Sequence, residues 1–140
     1  MESGKTIEEL YVGQKASLEK TITESDVLIF AGVTGDVNPV HLDPAYAAKT
    51  IFKERIAHGM LTASLISAVL ATVLPGPGNI YISQNLEFKA PVKFGDKITA
   101  EVEIIEKITE RNRIRLKTTC TNQKGIVVIT GEAIVMPRKK

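Results

Sequence analysis

The sequence predicts an α+β fold in which one long central helix is wrapped by a curled antiparallel β-sheet. Two observations carry that prediction. The stretch Gly59–Val73 is apolar on nearly every side, with only Ser and Thr placed among Leu, Ile, Val and Ala, and a helix of that kind is expected to be buried all round. After it, segments of alternating apolar and polar residues follow one another across short turns, which implies antiparallel neighbours. A helix followed by a run of strands, with no regular alternation of the two, is the α+β order.

Taken in order, Met1–Thr6 is polar and is expected to be loose. Ala16, Leu18 and Ile22 share one face of a strand, with Ser17, Glu19 and Thr21 on the other. Thr23 followed by Asp26 gives a capping-box-like helix start. Val27, Phe30, Ala31 and Thr34 then fall on one stripe, and Gly35 is placed to end that helix in a left-handed turn. Asp43-Pro44 reads as an N-cap and a first-position proline for a short helix through Ala45–Lys49. Pro75-Gly76-Pro77-Gly78 stops the long helix.

Beyond that point the strands are expected to turn Ile80, Ile82, Leu86 and Phe88 to one face, then Ile98, Ala100, Val102 and Ile104, then Ile114, Leu116, Thr118 and Cys120. A last, more continuously apolar strand covers Ile126–Ile129 and Ala133–Met136, with turns at Gly95-Asp96, Glu110–Asn112 and Gln123–Gly125. A single curled sheet leaves edges and apolar flanks exposed, so a homodimer that continues the sheet is expected.

With 140 residues and no linker or repeat, the chain is expected to form one domain over 1–140. A net charge of +2 is too small to suggest nucleic acid or a membrane surface, and the absence of Trp and of a basic–aromatic stripe argues against base stacking. No apolar run reaches the ~20 residues of a membrane span. Cys120 is the only cysteine, and Met1–Leu10 has no cationic–apolar leader, which points to a reducing, cytoplasmic setting.

Acid–base chemistry concentrates in Asp36-Val37-Asn38-Pro39-Val40-His41, and the only other histidine, His58, opens the long helix. Gly35 and Pro39 fix the backbone on either side of Asp36. Asp36-x-Asn38-Pro39-x-His41, then Leu42-Asp43-Pro44 and Ala57-His58-Gly59-Met60-Leu61, resembles the MaoC-like (R)-specific enoyl-CoA hydratases. Gly78-Asn79-Ile80-Tyr81, Phe88, Pro91, Gly95-Asp96 and Gly131-Glu132-Ala133 extend the likeness from about Tyr11 to Met136. The resemblance implies the hot-dog fold, paired subunits and hydration of trans-2-enoyl-CoA to (R)-3-hydroxyacyl-CoA. It implies no metal and no cofactor, coenzyme A being part of the acyl-CoA substrate. Carried over by position, Asp36 and His41 are the catalytic pair, Asn38 fixes the loop, and the backbone N–H of Gly59 binds the thioester oxygen.

The chemistry suits those residue types. Water must lose a proton as it attacks C3, C2 must gain one, and the carbonyl oxygen must carry charge in between. A carboxylate and an imidazole sharing one water cover both transfers, each worth ~10²–10⁴ in rate, and both acting from one side favours one hand of product. The first N–H groups of a helix are unpaired and sit at its positive end. Ser67 and Leu70 are expected, from helical spacing, to wall the acyl cavity.

Plainer readings compete. Asp36 and Asn38 suit turns, His58 suits packing at the helix start, and Cys120 suits a buried core thiol. Lys53, Arg55, Lys89 and Lys93 are within the range of ordinary solvated charges, although coenzyme A phosphates offer them a partner. A zinc site from Asp36, His41 and His58 lacks any close-spaced metal signature. Rival functions are a 3-hydroxyacyl-thioester dehydratase acting on acyl-carrier protein, a thioesterase of the same fold, and a non-catalytic acyl-thioester-binding subunit.

Overall fold

Residues 2–140 are described by a computed structural model; Met1, part of the stretch expected to be loose, lies outside them. The sheet has five strands, β1 (Lys15–Thr21), β2 (Ile80–Phe88), β3 (Lys97–Ile108), β4 (Arg113–Thr121) and β5 (Val127–Met136). They lie in the order β1-β3-β4-β5-β2, and every neighbouring pair is antiparallel. Four helices precede β2: α1 (Glu24–Thr34), α2 (Pro39–Leu42), α3 (Pro44–Ala48) and α4 (Gly59–Thr72). The α+β class expected from the sequence is therefore the one observed.

Local sequence explains most of these elements. Thr23 and Asp26 cap α1 reciprocally, the Asp26 N–H donating to Thr23 Oγ1 at 3.2 Å and the Thr23 N–H to Asp26 Oδ2 at 2.9 Å. Gly35, at φ 80°, ends the helix in the left-handed region that a side chain resists. Asp43 Oδ1 accepts from the N–H groups of Ala45 and Tyr46, and Pro44 opens α3. The alternation is obeyed in β3 as far as Ile104, where the register shifts, and through β4, with Ile98, Ala100, Val102, Ile104, Ile114, Leu116, Thr118 and Cys120 all buried. All of these but Thr118 meet Ile66, Val69 and Leu70 of α4 in one core cluster. Burying one such Ile or Leu contributes about 1.5–3 kcal/mol.

Three expectations need correction. The N-terminal stretch is tied down from Gly4: the Gly4 N–H donates to Pro77 O at 2.9 Å and the Lys5 N–H to Pro75 O at 2.8 Å. Thr6 is buried, and its capping box with Glu9 starts a short 3-10 helix, Ile7–Glu9, that carries Ile7 into the core. The Arg138 side chain also donates to Gly4 O, so both ends of the chain meet the corner after α4.

Secondly, α4 is buried on one side only. It packs on β1, β3 and β4 and leaves Met60, Ser64, Ser67 and Ala71 exposed. Thirdly, Ile80, Ile82 and Phe88 of β2 are exposed. The strand is an edge, a bulge lies between Tyr81 and Ser83, and α4 does not cover it. Among the described residues no helix is long and apolar enough to cross a membrane.

Candidate active site

A cavity of about 540 Å³ opens where α4 begins, lined by Asp36, His41, His58, Gly59, Met60, Thr62 and Phe88 among others. The loop after α1 delivers the first of these. Thr34 Oγ1 accepts the Asp36 N–H at 3.1 Å, and Asp36 Oδ1 accepts the Asn38 N–H at 3.3 Å. Asn38 Oδ1 in turn accepts the Val40 N–H at 3.2 Å, capping α2, with Pro39 at its first position. Asn38 does not line the cavity; its carboxamide shapes the turn that carries His41 inward.

His41 is buried, and its Nδ1 lies 2.7 Å from Ile56 O. A carbonyl only accepts, so Nδ1 carries the proton and the neutral ring leaves Nε2 as its lone-pair nitrogen. Burial pushes the His41 imidazole below its ordinary value. The hydrogen bond to Ile56 opposes that, nearby His58 adds to it, and Asp36 opposes it. Ile56 is held by an antiparallel bridge to Lys93, and the Ala57 N–H by Val92 O at 2.8 Å, so the acceptor for His41 rests on the sheet side.

His58 is 2% exposed and caps α4 without a side-chain cap bond. Its Nε2 lies 2.9 Å from the main-chain oxygen of Asp36, so Nε2–H donates there and pins the peptide that carries the carboxylate. Its ring stacks on that of His41 at 3.8 Å between centroids and packs at 4.8 Å against Phe30.

One carboxylate oxygen of Asp36 and one ring nitrogen from each histidine lie within 4.8 Å of one another. That spread suits one water making two hydrogen bonds of about 2.8 Å. It is wide for ligands of a single zinc at ~2.0–2.2 Å. The two imidazoles lie 28° from parallel, and one nitrogen of each, His41 Nδ1 and His58 Nε2, is already engaged by a main-chain oxygen. The arrangement suits proton transfer.

Gly59 is the first residue of α4, and among the described residues its N–H has no acceptor. A Cβ there would come within 2.7 Å of the ring of Phe88, an exposed side chain that would have to shift to admit it. A donor at the positive end of a helix, facing an apolar-walled cavity, can hold a developing oxyanion.

The structure thus brings Asp36, His41 and Gly59 to one cavity and adds His58. Ser67 and Leu70 do not line this cavity. Leu70 lies in the core, and Ser67 lines a second cavity of about 510 Å³ between α4 and β2. Both residues are two or more turns along α4 from Gly59, further than their shared helix suggested. Met60 borders both cavities. Thr62 and Phe88 line the site without having been singled out for it. Thr62 carried one signal, a hydroxyl four residues after His58 at the start of a helix whose other polar residues, Ser64, Ser67 and Thr72, come later.

The MaoC like domain family model matches residues 8–125. The (R)-specific enoyl-CoA hydratase of Rhodospirillum rubrum is 55% identical over 129 residues, spanning 92% of this chain and 89% of that protein. The 3-hydroxybutyryl-CoA dehydratase of Methylorubrum extorquens is 54% identical over 133 residues, 95% of this chain and 84% of that protein. The unliganded R-hydratase PhaJ1 of Pseudomonas aeruginosa superposes with a TM-score of 0.93 at 54% identity, covering 98% of this chain and 88% of that one. The fold is the hot-dog fold.

Proposed function

The chain belongs to the MaoC-like domain family, and on that premise we propose that it is an (R)-specific enoyl-CoA hydratase. It adds water reversibly to trans-2-enoyl-CoA to give (R)-3-hydroxyacyl-CoA. The observation that carries the reading is the Asp36 carboxylate set beside a buried imidazole whose Nε2 is left for a water, at the mouth of a helix whose first N–H has no acceptor among the described residues.

In this mechanism Asp36 and His41 hold one water between them. That water attacks C3 while one of the pair takes its proton, and a proton is returned to C2 from the same side of the alkene. The Gly59 N–H holds the thioester oxygen as charge builds on it, a contribution worth ~10²–10³ in rate for donors of this kind. No residue of this scheme calls for a metal or a redox cofactor.

The same proposal includes a homodimer joined along β2. That edge strand presents Ile80, Tyr81 and Ile82 to solvent, whereas β1, the other edge, carries Lys15, Glu19 and Lys20, and charged edges resist pairing. A cytoplasmic setting is also proposed, in keeping with a lone buried thiol.

The test is loss of the conjugated-thioester absorbance of crotonyl-CoA, with chiral analysis of the product. The (R) alcohol is expected; unchanged substrate or the (S) alcohol would refute the reading. Asp36→Asn and His41→Ala should each fold and each lower the rate at least ~10²-fold. Faster turnover of crotonyl-carrier protein than of crotonyl-CoA would reassign the substrate to the carrier-protein thioester.

A further inference from the structure

Two polar side-chain atoms lining the cavity are buried with no hydrogen-bond partner among the described residues: His58 Nδ1 and Thr62 Oγ1. Thr62 is 0% exposed and His58 2%. His58 caps α4 and Thr62 is its fourth residue; the Thr62 N–H donates to His58 O at 3.4 Å, and both residues line the same cavity. A buried polar atom is stable there only with a partner. A hydroxyl is the complementary group for a bare imidazole nitrogen, since it can donate while Nδ1 can only accept.

We infer that Thr62 is a positioning residue for hydration. Its hydroxyl holds one bound water that donates to His58 Nδ1 and so keeps the His58 proton on Nε2, where it grips the main-chain oxygen of Asp36.

The argument rests on what the other tautomer would do. With the proton on Nδ1, the bare Nε2 would face the Asp36 carbonyl 2.9 Å away. Two acceptors would then oppose each other, and the peptide that aims the carboxylate would lose its hydrogen bond to the residue that caps α4. Asp36 itself is exposed, and its own side-chain bond, to the Asn38 N–H, is long at 3.3 Å. The His58 contact is therefore the one that fixes Asp36 from the buried side. Thr62 acts through His58 and touches neither reacting atom.

The inference depends on the hydratase reading, and the test separates the two. Thr62→Val keeps the volume and removes the hydroxyl. It is expected to lower kcat for crotonyl-CoA by about five- to tenfold, the scale of one hydrogen bond, with KM changed by less than about twofold. Thr62→Ser, which restores the hydroxyl, is expected to recover most of the rate. Unchanged kcat in Thr62→Val would overturn the inference. So would a rise in KM alone, which would mark a substrate contact, or an equal loss in Thr62→Ser, which would mark packing.

Should Thr62→Val not fold, nitrogen-15 spectra of the histidine-labelled wild-type protein decide. His58 protonated at Nε2 with Nδ1 in a hydrogen bond supports the pair, and protonation at Nδ1 refutes it. If the wild-type protein does not hydrate crotonyl-CoA, the hydratase reading fails, while the spectra still test the pair.

Discussion

The Nδ1 proton of His41 is committed to the Ile56 carbonyl, so only Nε2 can exchange a proton with water. Protonating Nε2 removes that ability. Burial holds the imidazole below the ordinary histidine value, so the working form is neutral at pH 7 and is lost only on acidification. We expect kcat/KM to stay level from pH 8 down past the ordinary histidine value of about 6.5 and to fall only on further acidification, as a pH–rate profile would show. Stability follows with the same sign. Below about 6.5 the unfolded chain takes up a proton that folded His41 resists, so this contribution is full above that pH and declines as pH falls toward the folded value. Asp36, His41 and Gly59 were legible in the sequence because each sits at a local signal: a helix stop, a proline-fixed turn and a helix start. The places of His58 and Thr62 beside Asp36 were not, because they arise where two segments distant in sequence meet.

Strand period and capping chemistry foretold β1, β3, β4, α1 and α3, since a one-residue slip would reverse every side chain of a half-buried strand. β2 escaped that logic: its apolar residues face a side that α4 leaves uncovered, and the bulge at Ile82 breaks the phase. What holds β2 in place is its pairing with β5, where Gly131 stands opposite Leu86. A Cβ on Gly131 would sit 2.0 Å from the Asn85 carbonyl oxygen, and backbone on a paired strand cannot give way locally. Gly131→Ala is therefore expected to lower stability by about 1–3 kcal/mol, measured by urea unfolding. The N-terminal segment escaped for a different reason. Its short polar start hid a capping box, and only the fold provided the backbone carbonyls that Gly4 and Lys5 bind.

At the scale of the molecule the exposed side of α4 and the bare edge of β2 form one continuous theme, with the second cavity between them. If the proposed dimer closes over this side, a charge at its centre should separate the subunits. Ile82→Glu is expected to shift the sedimentation coefficient from that of a dimer to that of a monomer at micromolar concentration; an unchanged dimer would place the interface elsewhere. The corner after α4 has a practical bearing. Gly4, Lys5 and Arg138 all fasten there, and the 14 residues of α4 separate it from Gly59 by about 21 Å. An affinity tag at either terminus therefore emerges away from the cavity mouth, and a short peptide joining the two termini would let new ends be cut in a surface turn such as Gln123–Gly125.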